Sequence, residues 1–415
     1  MLRKSHDYWP AICLVLAAFF GLATQRWMGF EQGSQFVVAT SSPLYVEIAR
    51  AAPTYPTSGM NDVAERALPH YGVGLIAKSL GVSVDAAYTG TIIVLMLLIL
   101  FMVNLSLAGL SIEPALRTLL LASVFLNPYA FRYYLLAKPM FTDLIFVLGL
   151  SSIVLGLFRS QYGWVLGGLL IAVFGQSTVL LILPGTLFGI WAFLGPRLRI
   201  LKMGTALVTT VVALMAIEAH ATTIGKPLWP IYNEIGLLFS MKAWVDSPDF
   251  SLTILSQHVL RSILPLLIPL AFLFGTTAVS GTSRKLKTPQ ASALLLIVLG
   301  IFLAALLPNP AIQQNSQGRY SAYAIVVMTL LVGWLWSGSR VQQGSSKVLS
   351  IALGVILAGS LGAASLHHMY TVIGPANVAD FGMFHVATCE MLAIVSWYLF
   401  RSFRFCPTEQ IACHD

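Results

Sequence analysis

Long apolar stretches broken by short polar punctuation recur along the whole chain. A helix that crosses the hydrocarbon core needs about 20 mostly apolar residues, because lipid offers its backbone no hydrogen-bond partners. Twelve stretches fit, near 9–28, 87–111, 115–135, 140–158, 163–178, 179–195, 203–221, 258–280, 290–308, 320–337, 348–367 and 381–400. The run 163–195 is too long for one helix, and Gly175-Gln176-Ser177 supplies the small and polar residues of a turn, leaving two short halves. Two further segments, FVVATSSPLYVEIARAA and ERALPHYGVGLIAKSLG, show helical spacing but are too short or too polar to span. They predict helices lying in the interface. The expected fold is all-α and polytopic, with residues 1–415 forming a single transmembrane domain.

Composition agrees. Of 415 residues, 57% are hydrophobic and 10% charged, against about 25% charged in an average soluble domain. No soluble fold has interior enough for that apolar surface. The formal net charge of +8 reads as membrane topology, and the sequence has no basic tract interleaved with aromatics that would suggest nucleic acid. Cys13, Cys389, Cys406 and Cys413 suggest no disulfide framework, and the Cys406/Cys413/His414 group lacks zinc spacing. Acidic residues are too few in any one loop to specify a metal site, so no metal ligand is assigned; a divalent cation stays open as a cofactor.

Sidedness follows from basic residues. With the N-terminus inside, the inner connections receive Arg3, Lys4, Arg117, Arg159, Arg197, Arg199, Lys202, Arg284, Lys285, Lys287, Arg340, Lys347, Arg401 and Arg404, fourteen of the 24 Lys and Arg. The short loops RLRILK and SRKLK are the most basic, as cytoplasmic loops should be. Both termini are then expected to be cytoplasmic, with a retained first anchor and an inner tail at 401–415. The outer face carries a first loop at 29–86 and a second at 222–257, the latter with Trp229, Glu234 and Trp244.

Charges at the boundary of a bilayer are costly and point to function. Arg132 and Lys138 read either as cations snorkelling to headgroups or as ligands for an anion. Asp143 opens a span, where an acid suits the helix dipole even without a functional role. Arg319 also opens a span, where a cation opposes the dipole and needs a compensating anion. Glu47, Asp62 and Glu65 lie in the first loop, each either a solvated acid or a catalytic one, with Arg66 and His70 close by. Glu390 and Asn104 are polar within spans and keep a transport reading open.

The order of one anchor, a long outer loop with two interfacial helices, and many closely spaced spans resembles the GT-C superfamily of polyprenyl-phosphate-sugar-dependent glycosyltransferases. The likeness is to the branch of lipid A aminoarabinose transferase and protein O-mannosyltransferases. It rests on SSPLYVEIARAA (41–52), LPHYGVGLIAKSLGVSVDAA (68–87), KPMFTDLIFVLGL (138–150) and GRYSAYAIVV (318–327). At one point the chain departs from that branch: Ser41-Ser42 stands where the family has an Asp-Glu pair.

The resemblance implies sugar transfer at the outer face of the membrane, expected to be the bacterial inner (plasma) membrane, in cell-envelope glycan biosynthesis. The donor would be a polyprenyl-phosphate-linked sugar, and the acceptor a glycan, lipid or protein. A first-loop carboxylate, Asp62, Glu65 or Glu47, would serve as base in place of the missing acid. Arg319, Arg132, Lys138 and Arg66 would hold the donor phosphate, with Asp143 orienting a cation or meeting the acceptor. His70, Tyr45, Tyr320 and Glu234 would contact acceptor or sugar. A lipid-linked glycan polymerase or ligase, or a transporter or flippase, are the alternatives.

Overall fold

The computed structural model describes residues 42–56, 63–110, 117, 120–121, 124, 133–225, 251–263, 285–307, 320–337, 339–341 and 405–407. The two interfacial segments form α1 (Ser42–Ala51) and α2 (Ala67–Leu80), with a 3-10 turn, Ala64–Arg66, running into α2. Tyr45, Ile48 and Ala49 are the buried side of α1, and Ala67, His70, Val73, Gly74 and Ala77 that of α2. Both sets follow three- and four-residue steps, the spacing that keeps one face of a helix turned to a partner. Gly81, at φ 64°, ends α2 in the left-handed conformation, which glycine adopts without a Cβ clash.

Ser83 then caps α3 (Val84–Ala108), its Oγ accepting from the Ala86 N–H at 3.2 Å. A short α4 (Tyr133–Leu136) and a 3-10 turn, Lys138–Met140, lead into α5 (Thr142–Phe158). There follow α6 (Tyr162–Gly175), α7 (Val179–Phe193) and α8 (Arg199–Thr223). The remaining helices are α9 (Leu252–Ile263), α10 (Pro289–Leu306) and α11 (Ala324–Trp336). Strands β1 (Ser339–Val341) and β2 (Phe405–Pro407) pair antiparallel, Arg340 opposite Cys406.

Among the described residues four helical stretches are long and apolar enough to cross a membrane: Val84–Ala108, Lys138–Phe158, Arg199–Thr223 and Pro289–Leu306. The expected number of twelve is thus not confirmed. The expected spans at 9–28, 348–367 and 381–400 lie outside the described residues, as do most of 115–135 and 258–280. The run 163–195 does divide, with the turn at 176–178. At 14 and 15 residues, α6 and α7 extend only about 21–23 Å at 1.5 Å per residue, less than the hydrocarbon thickness. The expected span 320–337 is interrupted by a turn at 322–323, so that α11 has 13 residues.

The helices share two ends. At one, Ser160 Oγ donates to the Phe193 carbonyl, Arg159 to the Leu105 carbonyl, Gln290 to the Ala192 carbonyl and Lys285 to the Ser337 carbonyl. Arg117 also sits there, its Nε and Nη2 donating to Asn104 Oδ1 at 2.9 and 2.7 Å. The polar residue in α3 is therefore engaged by an arginine. The starts of α3, α5, α7 and α11, the ends of α6 and α8, and the α1–α2 pair meet at the opposite end.

Glycine sets the closest approach. A Cβ on Gly149 would lie 2.5 Å from the Gly168 carbonyl oxygen, and one on Gly175 would lie 2.7 Å from the Thr142 carbonyl oxygen and 2.8 Å from Phe146 Cα. These obstacles are backbone and cannot rotate away. Alanine favours a helix over glycine by about 1 kcal/mol, but overpacking typically costs about 1–3 kcal/mol. Gly175→Ala is therefore expected to destabilise the chain, read as a lower thermal unfolding midpoint in detergent. An unchanged or higher midpoint would show that α5 and α6 can separate without loss.

Candidate functional site

Five stretches far apart in sequence converge at the end opposite the Arg117–Asn104 contact. Arg66 closes the 3-10 turn and caps α2 without a side-chain hydrogen bond to the helix. A cation there opposes the helix dipole and needs an anion nearby. Asp143, buried in the first turn of α5, supplies it through an intermediary. Arg66 Nη2 donates to Gln176 Oε1 at 2.7 Å, and Gln176 Nε2 donates to Asp143 Oδ1. Tyr134 donates its hydroxyl to Asp143 Oδ2 at 3.2 Å, and Gln176 Nε2 also lies 3.5 Å from the Tyr323 hydroxyl.

Tyr323 packs on Phe146, with ring centroids 5.3 Å apart, and meets Tyr320 edge-on at 5.8 Å. Burial works against the Arg66 charge, but Tyr45, Tyr320, Asp143 and Tyr323 around it outweigh that effect. Its pKa is therefore raised above the usual guanidinium value. Arg66 is half-buried as a residue, and its fork is anchored at one corner, which leaves N–H donors able to meet an anion in two parallel bonds.

One turn beyond Arg66, His70 is fully buried between stacked and edge-on rings. Tyr45 stacks on it at 4.2 Å, and Phe141 meets its edge at 5.1 Å. His70 Nδ1 is 2.6 Å from the Tyr88 hydroxyl, which donates to the Tyr45 carbonyl at 3.3 Å. His70 Nε2 and Thr178 Oγ1 are buried without a partner among the described residues, and they lie on the two segments that the Arg66–Gln176 bond joins. Burial, and then the nearby Arg66 charge, hold the His70 pKa well below 6.5.

That shift sets a pH dependence. An unfolded imidazole takes up a proton near pH 6.5 while the folded one resists. The contribution of neutral His70 is thus intact above about pH 6.5 and is lost as pH falls below it, at up to about 1.4 kcal/mol per pH unit. The unfolding midpoint should fall between pH 7.5 and 5.5, and fall less in His70→Phe. Equal falls in both proteins would assign the effect to other groups.

Of the residues singled out from sequence, Arg66, Asp143, Tyr45 and Tyr320 come together here, with His70 beside them. Glu65 adjoins Arg66 and is partly buried. Glu47 is exposed; two residues from Tyr45, it stands about 200° round α1. Lys138 is buried, and its Nζ lies 2.8 Å from both carboxylate oxygens of Asp85, so the anion it holds is one the sequence reading passed over. Asp62, Arg132, Arg319 and Glu234 lie outside the described residues. Gln176 was read only as part of a turn; the signal was a lone amide between two apolar helices too short to span. Among the described residues no group of three or more His, Cys, Asp or Glu could hold a metal ion.

No family model and no curated protein matches the chain. Among solved structures it is similar to an oligosaccharyltransferase from Archaeoglobus fulgidus in the apo form, with a TM-score of 0.45 and 13% sequence identity. The match covers 95% of this chain and 56% of that one, so the chain spans little more than half the length of that structure.

Proposed function

We propose that the chain is a membrane glycosyltransferase of GT-C type, taking its sugar from a polyprenyl-phosphate donor at the outer face of the membrane. The observation that carries this reading is the Arg66–Gln176–Asp143 chain, which holds the guanidinium of a half-buried arginine by one corner at one end of a bundle of apolar helices. A lipid phosphate sits at that depth, and a guanidinium matches its oxygens in a planar fork. Sidedness is supported by the opposite end, where Arg117, Arg159, Arg199, Lys202 and Lys285 gather in the pattern of a cytoplasmic surface. The four short sequence likenesses to the GT-C branch supply the reaction class.

In the reaction, the acceptor hydroxyl oxygen bonds to the anomeric carbon of the sugar as the bond from that carbon to the phosphate oxygen breaks. The bonding pair leaves on the phosphate, where Arg66 meets the growing charge. The hydroxyl proton passes to a carboxylate of the first loop, Glu65 or Asp62, a transfer worth roughly 10²–10⁴-fold. Asp143, with its oxygens occupied by Gln176 and Tyr134, orients the cation and does not act as base. Tyr320, half-buried beside Arg66, flanks the sugar, whereas Tyr45 and His70 are buried and act by packing.

The test is transfer of labelled sugar by the purified chain in liposomes, from a panel of undecaprenyl-phosphate sugars to glycan, lipid and peptide acceptors. The reading expects release of undecaprenyl phosphate matched to labelled product. Absence of both transfer and undecaprenyl-phosphate binding across the panel would remove it.

A further inference from the structure

We infer that Gln176 is the positioning residue of the Arg66 site: an uncharged bridge that fixes the guanidinium by one corner while keeping it from pairing directly with Asp143. The inference rests on the reading of Arg66 as an anion ligand. Gln176 is 2% exposed, and its two ends are used in opposite senses, Oε1 accepting from Arg66 and Nε2 donating to Asp143. Amide orientation is ordinarily ambiguous. Here it is dictated, since a guanidinium only donates and a carboxylate only accepts.

The amide is held from behind as well. Gly175 brings the end of α6 onto the backbone of Thr142 and Phe146, so that Gln176 follows at the level of Asp143. Tyr134 fixes the far oxygen of Asp143. The position of Arg66 is thus set by the packing of α6 on α5, two helices that carry no cation at this end.

A neutral spacer has a specific consequence. Arginine and aspartate in direct contact form two parallel bonds, which use up the fork and cancel its charge. With Gln176 between them, Arg66 spends one N–H, and among the described residues Gln176 is the hydrogen-bond partner of its guanidinium. The charge stays available to a ligand, and Asp143 still steadies it from beyond the amide.

The experiment titrates undecaprenyl phosphate into the full chain in detergent and follows thermal shift. It compares wild type with Gln176→Met, Gln176→Glu, Arg66→Ala and the double variant Arg66→Ala/Gln176→Met. Gln176→Met should weaken binding about tenfold, a loss of one charge-assisted hydrogen bond. Gln176→Glu, nearly the same shape, should weaken it further by neutralising Arg66. The double variant should bind no more weakly than Arg66→Ala alone. If Gln176→Met fails to fold, the near-isosteric Gln176→Glu carries the comparison. Wild-type binding in both Gln176 variants, with Arg66→Ala impaired, would overturn the inference and leave the Arg66 reading standing. So would a milder loss in Gln176→Glu than in Gln176→Met, the order expected of a packing residue. Unimpaired binding by Arg66→Ala would overturn both.

Discussion

Arg66→Ala is expected to lower sugar transfer by at least 10²–10³-fold, the cost of removing one preorganised donor from a site of developing negative charge. The loss should appear in kcat as well as KM, because charge on the leaving phosphate grows between ground and transition states. Arg66→Lys should recover little. An ammonium is a point charge without a planar fork and cannot hold the Gln176 carbonyl and two phosphate oxygens in one plane. The variant should nevertheless fold, since Arg66 is half-buried as a residue and bonded at one corner. The measurement is initial transfer rate against donor concentration, with the unfolding midpoint as control. Wild-type kcat in Arg66→Ala would take the guanidinium out of the reaction.

The apolar pattern made the helices legible where a single face or a full span decided them. The α1–α2 pair, the start of α3 and the turn after Gly175 all fall where hydropathy and small residues put them. The site was legible in part. Asp143 stood out because a charge at the edge of an apolar run points to function, while Arg66 was noted only as a first-loop cation near His70. What compensates each was not legible, because a chain of hydrogen bonds joining residues 66, 143 and 176 leaves no periodic trace. Gln176 looked like turn chemistry, and Asp85 was passed over, as an acid in the first turn of a helix needs no special explanation. Each is local in sequence and tertiary in role. Lys138 shows the converse: its charge was noticed, and its partner lies 53 residues away.

That partner can be tested apart from any activity. The Lys138 side chain is 5% exposed and that of Asp85 35%, and the ammonium lies 2.8 Å from the carboxylate. Removing one partner of a buried ion pair costs about 3–5 kcal/mol. Asp85→Ala should cost somewhat less, about 2–3 kcal/mol, because Asp85 is partly wet. Lys138→Met should cost less again: the Asp85 carboxylate can hydrate, and in the first turn of α3 it keeps the favourable helix dipole. Combining the two should restore part of the Asp85→Ala loss, since the buried ammonium goes with its anion. The cycle is read from unfolding midpoints in detergent. The same pair joins the start of α3 to the turn before α5, so Asp85→Ala should also loosen Asp143 and weaken undecaprenyl-phosphate binding in step with stability. If Lys138→Met instead abolished that binding with stability unchanged, the lysine would be a ligand for the donor phosphate, and Asp85 its counter-ion only until the lipid arrives.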